Sequence, residues 1–265
     1  MFRQRLLTTL ILVPLVLIIL FYGNNIVFTS IILLLIWGCA QEWLSLIPLQ
    51  TAWLRLAYIV LTLVFVWLAH YGFEYWLTVN LILWAFIFIA ELTFPKSQIA
   101  WGFPLVIGLV GFIVLAVFAE SLITIHAMNQ GKVLILYLLL LVWAADIGAY
   151  LVGKQWGKHK LIPLVSPGKT IEGTLGGFLL SMLVALVGYL YFRPVQPLNW
   201  FIIAIITTLI SVVGDLFISI LKRRAKLKDT GNILPGHGGI LDRLDSLLAA
   251  SPVFYCGLMV LAPGL

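Results

Sequence analysis

Charge is what this chain has least of. Asp, Glu, Lys and Arg make up only 10% of its 265 residues, against 63% hydrophobic residues. A soluble domain carries about 25% charged and roughly 45–50% apolar residues. So little charge excludes an ordinary water-soluble globule. Cysteine is nearly absent as well. Cys39 and Cys256 both fall inside apolar runs, which argues for small buried side chains and against a disulfide framework or a cysteine metal cluster. No internal repeat is visible, and transporters are often built from repeated halves.

What the chain has instead is long, continuous apolar stretches. Strands of a membrane barrel would alternate, so the spanning element is the helix. Nine runs approach the roughly 20 residues a bilayer needs: near 5–22, 26–47, 53–70, 75–94, 103–126, 133–152, 174–192, 200–221 and 247–263. The first follows Arg3 and Arg5 as a signal peptide would, but it lacks a clear small-x-small cleavage site. It is expected to be a retained helix. The sequence therefore predicts an all-α integral membrane protein of about nine transmembrane helices. Residues 1–126 form about five hydrophobic helices. Residues 127–265 carry the polar motifs, with a dense segment at 219–246.

Lysine and arginine set the expected orientation. One set of loops holds Arg3, Arg5, Arg55, Lys96, Lys154, Lys158, Lys160, Lys169, Lys222, Arg223, Arg224, Lys226, Lys228 and Arg243, and the other holds only Lys132 and Arg193. The first set is predicted to be cytoplasmic. The N-terminus then lies in the cytoplasm and the C-terminus on the opposite side. Two long loops, near 153–173 and 222–246, share the cytoplasmic face and would build a polar site at that interface. The net charge of +6 needs no nucleic-acid partner. Positive-inside loops account for part of it, and anionic lipid or nucleotide phosphate can use the rest.

The acids divide by position. Glu42, Glu74, Glu91 and Glu120 lie near predicted span ends or loops and are expected to be solvated at the interface or paired locally. The other six, Asp146, Glu172, Asp215, Asp229, Asp242 and Asp245, gather in or beside the two long loops. Asp215 lies six residues inside a span ending near Leu221, roughly 9 Å deep at the helical rise. Such a residue is costly and usually functional. Asp215, Ser219 and Lys222 share one helix face by their i, i+4, i+7 spacing. Gly214 would let another helix or a ligand approach closely. The competing reading is an Asp–Lys or Asp–Arg pair that locks two helices. Asp242 and Asp245 share a face at the start of the last helix and repel unless a cation or arginine sits between them. With Asp215 they offer the hard oxygens that Mg²⁺ prefers. Helix capping is the alternative for this pair; it explains Asp245 before Ser246 but not the coincidence with Asp215.

Between these acids lies "PGHGG", residues 235–239, whose glycines permit an anion nest of backbone N–H groups. His237 would bind phosphate, ligate metal or hydrogen-bond the loop. With Lys222, Arg223, Lys228 and Asp229 adjacent, a polyphosphate site becomes plausible. The stretch "SPGKTIEG", residues 166–173, tempts a P-loop assignment. That assignment fails, because Pro163 stands where the motif needs glycine and no strand is expected ahead of it. What remains is a polar turn offering Ser166, Lys169, Thr170 and Glu172. Upstream, "WAADIGAYLVGK" puts Asp146 and Tyr150 at i, i+4 near a cytoplasmic helix end, where a buried hydrogen bond is the alternative to a site role. Lys154, Lys158 and Lys160 read as orientation signals and lipid-phosphate contacts.

The stretch "SILKRRAKLKDTGNILPGHGGILDRLD" resembles the signature of CDP-diacylglycerol synthases, or phosphatidate cytidylyltransferases. That pattern runs S-x-hydrophobic-K-R, four residues, K-D, then H-G-G-x-x-D-R-x-D, and every fixed position matches. "DIGAYLVGK" and "SPGKTIEG" are similar to that family's segments, whereas the first 125 residues match only in being hydrophobic. The resemblance implies that CTP and phosphatidic acid give CDP-diacylglycerol and pyrophosphate, for phospholipid biosynthesis at the inner membrane. It implies Mg²⁺, with a second cation such as K⁺ as an option, a homodimer and no nucleic-acid partner. The implied catalytic residues are Asp215, Asp242, Asp245, Lys222, Arg223 and His237, the three aspartates holding metal. The implied substrate contacts are Ser166, Lys169, Thr170, Glu172, Lys228, Asp229, Gly238, Gly239, Arg243, Asp146 and Tyr150. Two rivals are a CTP enzyme acting on another lipid, such as an ether-lipid phosphate or a polyprenol, and a transporter in which Asp215 couples an ion. The enzyme reading predicts one polar cavity, roughly 5–10 Å below the interface by the helix-rise argument. Its walls would be the span end holding Asp146, the "SPGKT" turn, the span with Asp215 and the helix starting near Asp242.

Overall fold

The structure, a computed structural model, describes residues 2–47, 51–97, 101, 103–233, 236 and 238–262. Nine α-helices are present among them: α1 (Phe2–Tyr22), α2 (Asn25–Trp43), α3 (Ala52–Tyr71), α4 (Phe73–Leu92), α5 (Pro104–Ala127), α6 (Gly131–Trp156), α7 (Ile171–Phe192), α8 (Pro197–Arg224) and α9 (Leu241–Leu261). The segments α2 to α9 are each long and apolar enough to cross a membrane, and the apolar part of α1 described as such runs over Leu10–Tyr22. This is a multi-pass all-α membrane protein. Helix is the form that hydrocarbon imposes, because it satisfies each backbone N–H and C=O within the segment.

The helix boundaries follow from local chemistry. The Asn24 side chain accepts from Val27 N and starts α2. Pro104 and Pro197 open α5 and α8, where a missing N–H costs nothing. The Thr170 side chain accepts from Gly173 N and starts α7. α9 begins at Leu241, about two turns earlier than the apolar run alone indicates, so Asp242 and Asp245 sit in its first turns. Its N-cap residue, Ile240, offers no capping side chain of its own.

One expectation is corrected. "SPGKT" is not a turn: Ser166–Thr170 is strand β2, paired antiparallel with β1 (Lys160–Ile162). A strand thus does precede the segment. The hairpin is antiparallel and Pro163 lies within its turn, so the exclusion of a P-loop stands on the missing glycine.

Two packing features position the site. The first is a cage around Phe217 on α8, whose ring is met by Trp43, Trp84 and Trp101 at centroid distances of 6.4, 5.6 and 5.4 Å. All four side chains are buried. Residues two apart on a helix point about 200° apart. Seating Phe217 in the cage therefore turns Asp215 toward the opposite side. The second is a glycine seam. A Cβ on Gly148 would lie 2.6 Å from Gly176 O, and one on Gly177 would lie 2.3 Å from Ala145 O. α6 and α7 therefore touch backbone to backbone. The seam continues where Ser181 Oγ donates to Leu141 O at 2.9 Å. Likewise a Cβ on Gly214 would lie 2.5 Å from Asp245 O, so α8 and α9 meet beside Asp215.

Candidate active site

Where these helices converge lies a cavity of about 620 Å³. α6 contributes Asp146, Tyr150 and Lys154, and the hairpin contributes Ser166, Lys169 and Thr170. α8 contributes Asp215 and Lys222, and α9 contributes Asp242, Arg243 and Asp245. Asp229 completes the polar wall from the loop between α8 and α9. The expected four walls thus border one space, with the "SPGKT" wall supplied by a strand. Asp215 and Asp242 face the same cavity rather than separate ones.

Two ion pairs organise it. Lys169 Nζ lies 2.6 Å from Asp215 Oδ2, and Lys222 Nζ lies 2.7 Å from Asp242 Oδ1. The first pair joins the hairpin to α8 and is partly open, with side chains 26% and 27% exposed. The second joins α8 to α9 and is more enclosed, at 13% and 2%. Asp215 Oδ1 accepts from Ser219 Oγ at 3.3 Å, as the i, i+4 spacing foresees. The Asp–Lys pair that competed with a site role for Asp215 is therefore present, but inside the cavity, where the lysine is within reach of any anion that enters.

Asp242 is more heavily engaged. Its Oδ2 accepts from Thr230 N at 2.8 Å, Gly239 N at 3.0 Å and Thr230 Oγ1 at 3.1 Å. Asp245 Oδ1 accepts from Ser246 N at 2.8 Å; because α9 opens at Leu241, this contact lies inside the helix and is not the N-terminal cap considered for it. Asp146, Asp215 and Asp245 stand within electrostatic reach of one another. Three carboxylates converging on one cavity repel unless a cation is shared. Carboxylate oxygens are the donor type that a hard divalent cation prefers. Among the described residues no three acidic, His or Cys side chains stand as a ready-made metal cage. The lysine pairs occupy part of that role here.

Several expected contacts stand off the cavity wall. Arg223 Nε donates to Val165 O at 3.2 Å and pins the hairpin to α8. Glu172 accepts from the backbone N–H groups of Lys158 and His159 and lies 2.6 Å from His159 Nδ1, so it ties the end of α6 to the start of α7. Lys228 is exposed to solvent. Gly238 takes a positive φ of 85°, and Gly239 gives its N–H to Asp242. His237 and Pro235 lie outside the described residues.

Comparison with known proteins decides the lineage. Residues 3–261 match the model of the cytidylyltransferase family. The chain belongs to that family. It is 35% identical to phosphatidate cytidylyltransferase of Haemophilus influenzae over 287 residues, covering 96% of this chain and 97% of that protein. It is 36% identical to the Pseudomonas aeruginosa protein of the same name over 275 residues, with 96% of each covered. The Staphylococcus aureus (strain COL) phosphatidate cytidylyltransferase is 48% identical over 127 residues, 47% of this chain and 48% of that protein.

For a cytidylyltransferase, the residues that sequence reasoning passed over are as informative as those it found. Lys154 borders the cavity, and its Nζ sits 5.7 Å above the Tyr150 ring. Thr208, Leu209 and Val212 extend the wall one to two turns deeper than Asp215 along α8. Of the four acids in the first half, Glu74 is exposed, as foreseen; Glu120 is buried and pairs at 2.6 Å with His70 on another helix, α3. Glu42 and Glu91 are not solvated: each is 4% exposed. Glu42 reaches the signature segment itself, a contact that no local pattern around position 42 signals.

Proposed function

We propose that this chain is a phosphatidate cytidylyltransferase, making CDP-diacylglycerol from CTP and phosphatidate at the inner membrane. In this reaction an oxygen of the lipid phosphate attacks the α-phosphorus of CTP. A new P–O bond forms, the bond to the β-phosphate oxygen breaks, and pyrophosphate leaves. The nucleophile is already an oxyanion, so little is asked of a general base. The barrier is charge, since an anionic lipid must approach a polyanion.

One observation carries the reading. Lys169, Lys222 and Arg243 line the same cavity as Asp146, Asp215 and Asp245, and that cavity continues along an apolar wall of Phe178, Leu209 and Val212. Leu209 is half exposed. A space with a charged end and an apolar flank suits a lipid that enters sideways while a nucleotide enters from water. Lys169 and Lys222 would turn from their aspartates to the phosphates and orient them in line. Asp215 and Asp245, with Asp146 beside them, would then hold a divalent cation, and Asp242 would offer Oδ1 once Lys222 has turned. Such a cation, when bound, supplies neutralisation of the triphosphate and stabilises the departing pyrophosphate. The test is direct: purified protein with CTP, Mg²⁺ and phosphatidate should release pyrophosphate and form CDP-diacylglycerol. No pyrophosphate under these conditions would overturn the proposal.

Lys169 gives a sharper check. A charge-assisted hydrogen bond contributes about 1.5–3 kcal/mol, so Lys169→Met should lower kcat/KM for CTP by about 10-fold or more. Unchanged CTP dependence together with an unchanged rate removes Lys169 from the site.

The proposal includes sidedness and assembly. The loops at 153–173 and 222–246 face the cytoplasm, supported by the lysine and arginine bias, and the protein works as a homodimer. In intact cells, a membrane-impermeant maleimide should label cysteine placed at Arg193, and should label cysteine at Lys158 only after permeabilisation. The reverse pattern would invert the orientation. A monomer mass in native detergent or nanodisc preparations would refute the dimer.

A further inference from the structure

The signature loop rests on a residue that belongs to no motif. On α2 and the 3₁₀ turn Leu44–Leu46 that continues it, Gly38, Glu42 and Ser45 recur at i, i+4, i+7 and so share one face. That face receives the loop between α8 and α9. A Cβ on Gly38 would lie 2.8 Å from Ile240 Cδ1. Ser45 Oγ donates to Thr230 O at 3.0 Å. The Glu42 carboxylate, buried, accepts from Ile240 N at 3.0 Å through Oε1 and from Leu241 N at 2.8 Å through Oε2. Its Oε2 also lies 3.2 Å from Thr230 Oγ1.

These contacts solve two problems at once. The first N–H groups of a helix need acceptors, and an acid near a helix N-terminus is stabilised by the helix dipole. α9 has no capping side chain from its own chain neighbours; Glu42 caps it from 199 positions away. The loop also closes directly on the carboxylate. A Cβ on Gly231 or Gly239 would lie 2.4 or 2.3 Å from a Glu42 oxygen. The Thr230 hydroxyl then stands between Glu42 Oε2 and Asp242 Oδ2, and Asp242 Oδ1 holds Lys222. Glu42, Thr230, Asp242 and Lys222 thus form one continuous chain from the hydrophobic N-terminal helices into the cavity.

We propose that Glu42 is a positioning residue for the active site: by holding Thr230, Ile240 and Leu241 it fixes Asp242, and through Asp242 the ammonium of Lys222. The proposal rests on the cavity being the cytidylyltransferase site. It assigns the N-terminal helices a part in catalysis beyond anchoring in the membrane.

Glu42→Gln keeps the shape but turns an amide donor toward backbone donors. Two measurements on the full-length protein test it. In hydrogen exchange, the amides of Thr230, Gly239, Ile240 and Leu241 should exchange about tenfold faster or more, while α5 and α6 stay protected. In the CTP and phosphatidate assay, kcat per folded molecule should fall about tenfold or more. The same substitution added to Asp242→Asn should cost less than about twofold, because Glu42 acts through Asp242. If Glu42→Gln does not fold, Thr230→Val removes only the bridging hydroxyl and should show the same coupling to Asp242→Asn. Unchanged exchange and turnover, or losses that multiply in the double variant, would overturn the inference. A wild-type protein without cytidylyltransferase activity would instead sink the functional reading, and the exchange result would still stand for or against the loop anchor.

Discussion

Asp215→Asn should reduce turnover by about 10²–10³-fold while the protein still folds. The side chain sits on a helix rotated into place by the Trp43, Trp84 and Trp101 cage around Phe217, and that cage does not involve the carboxylate. The substitution keeps the volume and the bond to Ser219, so the helix has no reason to move. What disappears is the charge that holds Lys169 at 2.6 Å and that faces Asp146 and Asp245 across the cavity. With it goes a main ligand for the proposed cation. Steady-state rates at saturating and at limiting Mg²⁺, with a melting curve on the same sample, decide the matter. Near-wild-type turnover at limiting Mg²⁺ would show that Asp215 holds no catalytic cation.

Gly177→Val should disable the protein by a different route. Any Cβ at position 177 would lie 2.3 Å from Ala145 O and 3.1 Å from its carbonyl carbon. Both are backbone atoms of α6, which a rotamer change cannot relieve, so the two helices must separate. Overpacking of this kind costs about 1–3 kcal/mol or more. Asp146 follows Ala145 on one side of the seam, and Lys169 and Thr170 lead into α7 on the other. Separation would therefore widen the cavity as well as weaken the bundle. The expected result is a lower melting temperature together with a CTP KM raised about tenfold or more. Gly168→Ala is the control, because a Cβ there meets nothing within 4 Å; it should leave stability unchanged. A Gly177→Val protein that melted like wild type would mean that α6 and α7 are not in backbone contact.

The membrane-spanning character, the helix positions and most of the cavity wall were legible in the chain. Each depends on neighbours in sequence. A bilayer demands a continuous apolar run, and an acid six residues inside such a run is conspicuous because hydrocarbon penalises it. The spacing of Asp215, Ser219 and Lys222 is a helical period, and the observed Ser219–Asp215 bond follows from it. The hairpin was not legible. Its strands are three and five residues long, too short for alternation to register, and their stability comes from pairing with each other and from the Arg223 contact to Val165.

Composition and local spacing alone determined that this is a helical membrane protein with six of its ten acids in or beside two polar segments of the sequence, because the solvent acts on each segment separately. Only the tertiary structure decided which acids became partners of which bases. Lys169 meets Asp215 and Lys222 meets Asp242 because three helix packings and a hairpin fix their relative rotation, and rotation is not written in any one helix. Glu42 shows the same limit most clearly. In sequence it is a lone acid at the end of an apolar run, indistinguishable from the solvated Glu74. In the folded protein it lies against Thr230, Gly231 and Gly239 and takes the N–H groups of Ile240 and Leu241 where α9 begins. Buried backbone donors must find an acceptor, and which acceptor they find is settled by which helix packs beside them.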